Sequence, residues 1–385
     1  MRKIGNSLVV LITVFVVCSG HGLSARESWD GVERIVAIGD IHGDYDQMFS
    51  LLKSTGLVSQ SGKWTGGKTH LVQTGDIPDR GPDTARIIRF FMRLEKQARR
   101  KGGYVHLLVG NHEAMNMSGD LRYVVPEEYA AFKTRKSGQL QDRYYAANVV
   151  RMRETLPPES LPVFDVSHRE QWDKIYPPGY VEHRRAWAAT GEFGSWVSKH
   201  NAVIRINNIL FMHGGLGPAY SDSALKQIND AVDKGLMNVP PTKTPEGTEQ
   251  VSIVVHTEGP LWYRGLARNA EDIERDHLAS ILELHGAQHI VLGHTVTEGA
   301  IKPRFGGSVI LIDVGMSAHY GSHSAALVIK GDAFFVVHRG QKMPLPFSGD
   351  ELIEYFETVA ALEPDRRRLD QYISTLKQAG DPVIE

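Results

Sequence analysis

The sequence predicts an α/β fold built on a mixed sheet, with a mostly helical insertion after the third strand. Three observations carry that prediction. Short apolar runs ending at glycine alternate with helical patterns over the first 110 residues, and a strand–helix–strand–helix–strand order implies a parallel sheet with crossover helices. Later strands joined by tight turns add antiparallel pairs. Between the two sets, a stretch at about 114–200 is rich in charge and aromatics and carries no strand pattern.

The first predicted strand covers 33–38 and ends in Gly39-Asp40-Ile41-His42-Gly43-Asp44. A helix follows with Met48, Phe49, Leu51 and Leu52 facing inward and Asp44 placed to cap it. The second strand, 69–74, ends in Gly75-Asp76-Ile77-Pro78-Asp79-Arg80-Gly81. Pro82 suits the first turn of the next helix, which carries Ile87, Ile88, Phe91 and Leu94 at helical spacing. Its basic end, Arg99-Arg100-Lys101, complements a helix C-terminus. The third strand, 104–109, runs into Gly110-Asn111-His112-Glu113.

The insertion is broken at Pro157-Pro158, Pro162 and Pro177-Pro178. Strands return at 202–206 and 209–212 around an Asn207-Asn208 turn, and the second ends in His213-Gly214-Gly215. A proline-containing stretch at 238–247 reads as a surface loop. A helix at 276–285 precedes a strand at 289–292 that ends in Gly293-His294-Thr295-Val296. A strand at 308–314 and a hairpin of 325–329 with 333–337 complete the sheet. The pattern at 350–376 is helical and is expected to pack on the outside.

The 43 basic and 45 acidic side chains leave no bulk charge that would favour nucleic acid or lipid. Met1-Arg2-Lys3 followed by an apolar run of about ten residues, Leu8 to Val17, has the proportions of a secretory signal, and small residues near Gly20, Gly22 and Ala25 offer cleavage sites. A spanning helix needs about twenty apolar residues. The expected organisation is therefore a signal at 1–25, a catalytic domain at 26–345 holding the insertion at about 114–200, and a helical extension at 346–385, exported to a periplasm or secretory pathway. Cys18 is the only cysteine, so the exported chain would have neither disulfides nor a thiol nucleophile.

Five strand ends thus carry Asp40 with His42, Asp76, Asn111, His213 and His294, each beside a glycine. Singly, each is an ordinary cap or turn residue. Together, six such residues at the carboxyl ends of strands, where α/β sheets bind ligands, point to one site. Carboxylate and imidazole donors suit Mn²⁺, Fe²⁺ or Zn²⁺. Six donors are too many for one catalytic ion that must keep positions open. Two ions about 3.5–4 Å apart sharing a carboxylate fit better, and such a pair clamps a phosphate and makes hydroxide available near neutral pH. Asp76, alone on its strand and central in the series, is the bridging candidate.

These five motifs, in this order and spread over roughly residues 35–325, resemble those of the phosphoprotein phosphatase branch of the calcineurin-like metallophosphoesterases. Within that branch the long segment after Glu113, Pro260-Leu261-Trp262-Tyr263-Arg264-Gly265 and the export signal resemble the Shewanella-like protein phosphatases. The resemblance implies a mixed-sheet β-sandwich flanked by helices. It implies that Asp40, His42 and Asp76 hold one metal and that Asp76, Asn111, His213 and His294 hold the other. By the same resemblance His112 is the general acid, Asp79 orients it, and Arg80 grips phosphate oxygens. The implied reaction is hydrolysis of phosphotyrosine or phosphoserine/threonine by direct attack of a bridging hydroxide, without a covalent intermediate.

Some positions depart from the family pattern. Arg264 follows Trp262, whereas the family's second phosphate-binding arginine precedes a similar Leu-Trp segment. In the loop Ser317-Ala318-His319-Tyr320-Gly321 the family's substrate-groove tyrosine is kept as Tyr320, but its neighbouring proline, asparagine and cysteine are not. The expected partners are accordingly a phosphoprotein or a small phosphomonoester, with neither nucleic acid nor a regulatory subunit. Val296 stands where many other metallophosphoesterases add a histidine ligand. Asp79 favours monoesters over dinucleoside polyphosphates, whose hydrolases usually lack that acid. A phosphodiesterase or dinucleoside polyphosphate hydrolase is the enzymatic alternative, and a silent metal- or phosphoprotein-binding module the non-enzymatic one.

Overall fold

A computed structural model describes residues 26–237 and 252–380. The expected signal segment, Cys18 and the loop at 238–247 lie outside the described residues. Twelve strands are found among them: β1 (Ser28–Trp29), β2 (Arg34–Ile38), β3 (His70–Gln73), β4 (Tyr104–Leu107), β5 (Val203–Ile206), β6 (Ile209–Met212), β7 (His289–Leu292), β8 (Lys302–Arg304), β9 (Val309–Leu311), β10 (Ala325–Lys330), β11 (Ala333–His338) and β12 (Gln341–Pro344). They form two six-stranded mixed sheets, in the orders β1-β5-β6-β7-β9-β8 and β12-β11-β10-β2-β3-β4. Within these, β2, β3 and β4 are mutually parallel, as are β6, β7 and β9.

The sheets face each other through alternate residues. Ile35 and Ala37 of β2 share one buried cluster with Ile209 and Phe211 of β6, while Val36, Ile38, Leu210 and Met212 belong to another. That is the period-2 alternation of strands buried on both faces. Of the outward residues, Val36 and Ile38 share a cluster with Met48, Leu51 and Leu52 of α1 (Tyr45–Ser54) and with Ile87, Ile88 and Phe91 of α2 (Thr84–Arg99). Asp44 caps α1 by accepting from the Gln47 backbone N–H. Pro82 lies just ahead of α2, whose cap residue is Asp83, rather than inside its first turn.

Helices fill the insertion: α3 (Asn111–Ser118), α4 (Pro126–Ala131), α5 (Ser137–Thr155), α6 (Val166–Ile175), α7 (Tyr180–Trp187) and α8 (Gly194–Val197). Beyond it come α9 (Leu225–Met237), α10 (Gly265–Arg268) and α11 (Glu271–His285), the last starting five residues before the expected 276. Asn207 takes φ of +54° in the β5–β6 turn, which asparagine tolerates better than most side chains.

The pattern at 350–376 resolves into two helices, α12 (Gly349–Leu362) and α13 (Arg367–Gly380). They do not merely coat the outside. Tyr355, Phe356, Val359 and Leu369 are buried in the same cluster as the inter-sheet residues, and the Tyr355 hydroxyl donates to the Ile301 carbonyl. Emptying the Phe356 position to alanine would cost about 3–5 kcal/mol, the usual penalty for a buried aromatic.

Candidate metal centre and active site

The loops after β2, β3, β4, β6 and β7 bring every predicted strand-end residue to one place. His42 Nε2 lies 3.9 Å from Asp40 Oδ2 and 3.8 Å from Asp76 Oδ2. His213 Nε2 lies 3.3 Å from Asp76 Oδ2 and 2.9 Å from Asn111 Oδ1. Two groups whose donor atoms fall within 4.8 Å of one another can hold a metal: His42, Asp76 and His112, and Asp76, His213 and His294. Asp76 is common to both. All seven residues, Asp40 and Asn111 included, are buried.

The donor set fits divalent cations. His213 Nδ1–H donates to the Thr74 carbonyl at 2.9 Å, so in neutral imidazole Nε2 presents a lone pair to the oxygens of Asn111 and Asp76. Electron-rich atoms facing one another in this way need a cation between them. His42 is oriented similarly, with Nδ1–H directed to the Pro78 carbonyl at 3.0 Å and Nε2 turned inward. Outer hydrogen bonds of this kind set the tautomer of metal-ligating histidines. Charge crowding says the same. Burial and the nearby negative charges of Asp313 and Asp76 push the Asp40 carboxyl well above the usual range. Asp313 is pushed up to about 6, chiefly by burial. Burial and the charge of His112 drive His42 down to about 3. Burial works against ionised Asp76, but the surrounding His213, His112 and His42 outweigh it and hold this carboxylate well below its ordinary value.

The backbone carries strain in the same loops. His42, Asp76, Asp79, Arg80 and His294 all have positive φ, between 47° and 72°. Each such residue costs on the order of 1–3 kcal/mol, and such strain concentrates at functional sites. Glu113 holds the most critical of these turns. Its carboxylate accepts from the N–H groups of Asp76, Ile77 and Gly110 at 2.8–2.9 Å. Asp76 Oδ1 in turn accepts from the His112 N–H at 2.9 Å. Gly110 is required there, because a Cβ would meet the Asp76 carboxylate and backbone nitrogen.

His112 stands beside this cluster. Its Nδ1 is 2.5 Å from Asp79 Oδ2, and its Nε2 faces inward, 3.7 Å from Asp76 Oδ2. Asp79 is wholly buried, and its second oxygen accepts from Asn116 Nδ2 at 3.0 Å. Burial alone would lower the imidazole's pKa; Asp76 and Asp79 outweigh it and raise it. The arrangement favours the protonated ring, held by one carboxylate at Nδ1 with Nε2 turned toward the cluster, which suits a proton donor better than the metal ligand that its distance from His42 and Asp76 would also allow.

Arg80 follows Asp79 directly and is held between two aromatic rings. Its guanidinium sits 3.9 Å from the Tyr123 ring centre and 6.0 Å from that of Tyr320, and its Nε is buried with no hydrogen-bond partner. Tyr320 also lies 5.3 Å from the His42 ring. Arg264 is placed differently. Its Nη1 donates to the His294 carbonyl at 2.5 Å and to Thr295 Oγ1 at 3.1 Å, and Nη2 lies 3.4 Å from His294 Nδ1. It therefore grips the His294 turn, while His294 Nε2 faces the Trp262 carbonyl at 3.2 Å.

Sequence reasoning missed Asp313, Asn116 and Tyr123. Asp313 carried a weaker signal: it follows β9 as an acid at a strand end, but its glycine, Gly315, comes two residues after it, whereas Gly39 and Gly75 directly precede Asp40 and Asp76. Asn116 lies one helical turn after His112 on α3, where spacing alone does not show that it reaches Asp79, and Tyr123 is brought to the site by the course of the insertion beyond that helix.

Comparison with known proteins agrees with this geometry. The family described as "Calcineurin-like phosphoesterase" matches residues 33–298. An uncharacterized protein of Schizosaccharomyces pombe is 32% identical over 302 residues, covering 77% of this chain and 76% of that protein. Shewanella-like protein phosphatase 2 of Arabidopsis thaliana is 29% identical, covering 74% and 72%. Among solved structures, a cold-active protein-tyrosine phosphatase of a psychrophilic Shewanella superposes with a TM-score of 0.61 at 29% identity, over 83% of this chain and 82% of that one. The strand order, the clustered donors and these matches agree that the chain belongs to the calcineurin-like phosphoesterase family.

Proposed function

We propose that this protein is a metal-dependent phosphomonoester hydrolase acting on phosphoproteins. One observation carries the reading: a buried proton-donor pair, His112–Asp79, and an arginine with an unfilled buried N–H, Arg80, flank one cluster of metal donors. Asp40, His42 and Asp76 would hold one ion, and Asp76, Asn111, His213 and His294 the other, with Asp76 shared. Divalent ions there would polarise phosphoryl oxygens and lower the pKa of bound water toward neutrality. Oxygen and imidazole donors suit Mn²⁺, Fe²⁺ or Zn²⁺.

The chain's own residues do the rest. Arg80 Nε–H and its fork bind the phosphate oxygens and orient the group. As water attacks phosphorus and the ester P–O bond breaks, His112 Nε2 gives its proton to the departing alkoxide or phenoxide, while Asp79 stabilises the imidazolium beforehand. Tyr320, whose ring lies 6.0 Å from the Arg80 guanidinium, would touch the group carrying the phosphate. Arg264 positions His294. We favour phosphotyrosine, supported by similarity to the Shewanella phosphatase whose name specifies tyrosine. Export is part of the reading, supported by the basic head and apolar run at the N-terminus.

A parallel assay of a phosphotyrosine peptide, a phosphothreonine peptide and a bis-nucleoside polyphosphate, with metal analysis of the same preparation, tests the proposal. Turnover of a phosphopeptide is expected. Turnover of the polyphosphate alone would overturn it.

A further inference from the structure

Glu128, in the insertion helix α4, is fully buried, and neither of its carboxyl oxygens makes a hydrogen bond of good geometry, although the Asp79 backbone N–H and the Thr84 hydroxyl both face it. Beside it, His183 of α7 is fully buried with both ring nitrogens unpartnered, its Nε2 3.4 Å from Glu128 Oε1. Thr84 Oγ1 at the start of α2 faces the same carboxyl group and is likewise without a well-formed hydrogen bond. Buried polar groups without partners are rare in folded proteins, and each one needs a reason. Packing gives none, since leucine in place of a buried acid would spare the fold a desolvation penalty of several kcal/mol.

The reason lies in what the carboxyl group faces. Its surroundings are the Asp79 backbone N–H, the Thr84 hydroxyl and the charge of Asp79. Burial, then that charge, push Glu128 well above the usual carboxyl range. Burial first, and then Arg184, push His183 down to about 3. The pair thus backs the Asp79–Arg80 turn, which has two consecutive left-handed non-glycine residues, at φ +72° and +67°. A strained pair persists only where its surroundings hold it. From the front, the Tyr123 carbonyl accepts from the Arg80 N–H at 3.0 Å. From behind stands Glu128.

We propose that Glu128 is a positioning residue of the insertion, bracing the Asp79–Arg80 turn so that Asp79 presents His112 to the leaving group. This rests on the hydrolase reading above, and it makes the insertion a working part of the proton-donor machinery.

The test uses 2,4-dinitrophenyl phosphate, whose leaving group departs without a proton, and phenyl phosphate, whose leaving group needs one. In Glu128→Leu the ratio of kcat for the first ester to kcat for the second should rise roughly tenfold, with KM for both little changed because Tyr123 still holds Arg80. Glu128→Gln, neutral and of the same shape, should restore the wild-type ratio. If Glu128→Leu does not fold, Thr84→Val, which removes only the hydroxyl facing the carboxyl group, should raise the ratio about threefold. An unmoved ratio in the folded variants, an equal loss on both esters, or a glutamine variant as impaired as leucine overturns the proposal. A wild-type protein with its metals bound but inactive on both esters overturns the hydrolase reading itself, which separates the two failures.

Discussion

Replacing Asp79 with asparagine removes one charge from a fully buried position and leaves the shape unchanged. In the native site Asp79 Oδ2 is 2.5 Å from His112 Nδ1, and Oδ1 accepts from Asn116 Nδ2. Asparagine can keep one of these bonds with its oxygen, but its amide nitrogen must then confront a second donor. A hydrogen bond to a charged partner is worth about 1.5–3 kcal/mol. At about 1.4 kcal/mol per tenfold, the variant should lose roughly 10–150-fold in kcat on phenyl phosphate. The loss on 2,4-dinitrophenyl phosphate should stay below about threefold, since that step needs no general acid. The pH profile should move too. Burial lowers the pKa of His112, while Asp76 and then the Asp79 bond and charge raise it. A raised pKa keeps the acid form present to higher pH, so the variant should lose activity on phenyl phosphate at lower pH than wild type. Metal content should be unchanged, because neither Asp79 nor its partner His112 is among the six residues assigned to the two ions. Steady-state kinetics on both esters from pH 5 to 9, with metal analysis, would decide. Equal losses on the two esters, or none on either, would refute the assignment of Asp79 and His112 as the proton-donor pair.

Three further outcomes are expected. Gly110→Ala should displace Asp76 and leave the purified protein short of metal by elemental analysis, because the new Cβ falls on the Asp76 carboxylate; full metal content would contradict the shared role of that residue. Tyr123→Ala should raise KM for phosphomonoesters about two- to thirtyfold with a smaller change in kcat, since a ring under the Arg80 guanidinium contributes about 0.5–2 kcal/mol. The third concerns Glu363, which accepts from His323, His338 and Arg339 at 2.6–2.9 Å. Burial raises its pKa, but these three partners outweigh it and hold the carboxyl far below normal. A depressed folded pKa gives stability that is present above about pH 4.3 and is lost as pH falls toward the folded value. Glu363→Gln should lower stability by about 2 kcal/mol at pH 7 and show a shallower fall in Tm below pH 4.3 than wild type. Parallel Tm curves would remove Glu363 from the acid response.

The amino-acid sequence by itself determined the chemistry of the centre. Asp40, His42, Asp76, Asn111, His213 and His294 each follow a buried strand, and a strand's direction decides that its carboxyl end delivers the next side chains to the sheet edge. Local pattern was enough because the signal spans only a few residues: an apolar run, a glycine that admits close backbone approach, then a donor. The tight Asn207-Asn208 turn and the Asp44 cap were legible for the same reason. The tertiary structure alone decided matters that depend on distant segments meeting. The βαβ order shows parallel pairing but not that β5–β9 form a second sheet stacked on the first, since central strands such as β2 and β6 are apolar on both faces. The helices α12 and α13 look like an outer layer from their periodicity, yet Tyr355, Phe356 and Leu369 close the inter-sheet core. Most of all, nothing local marks Tyr123, Glu128 or His183. They lie in a charge-rich stretch without strand signals, and they join the site only because the insertion folds back over the Asp79–Arg80 turn, where burial turns ordinary polar residues into supports for the proton donor.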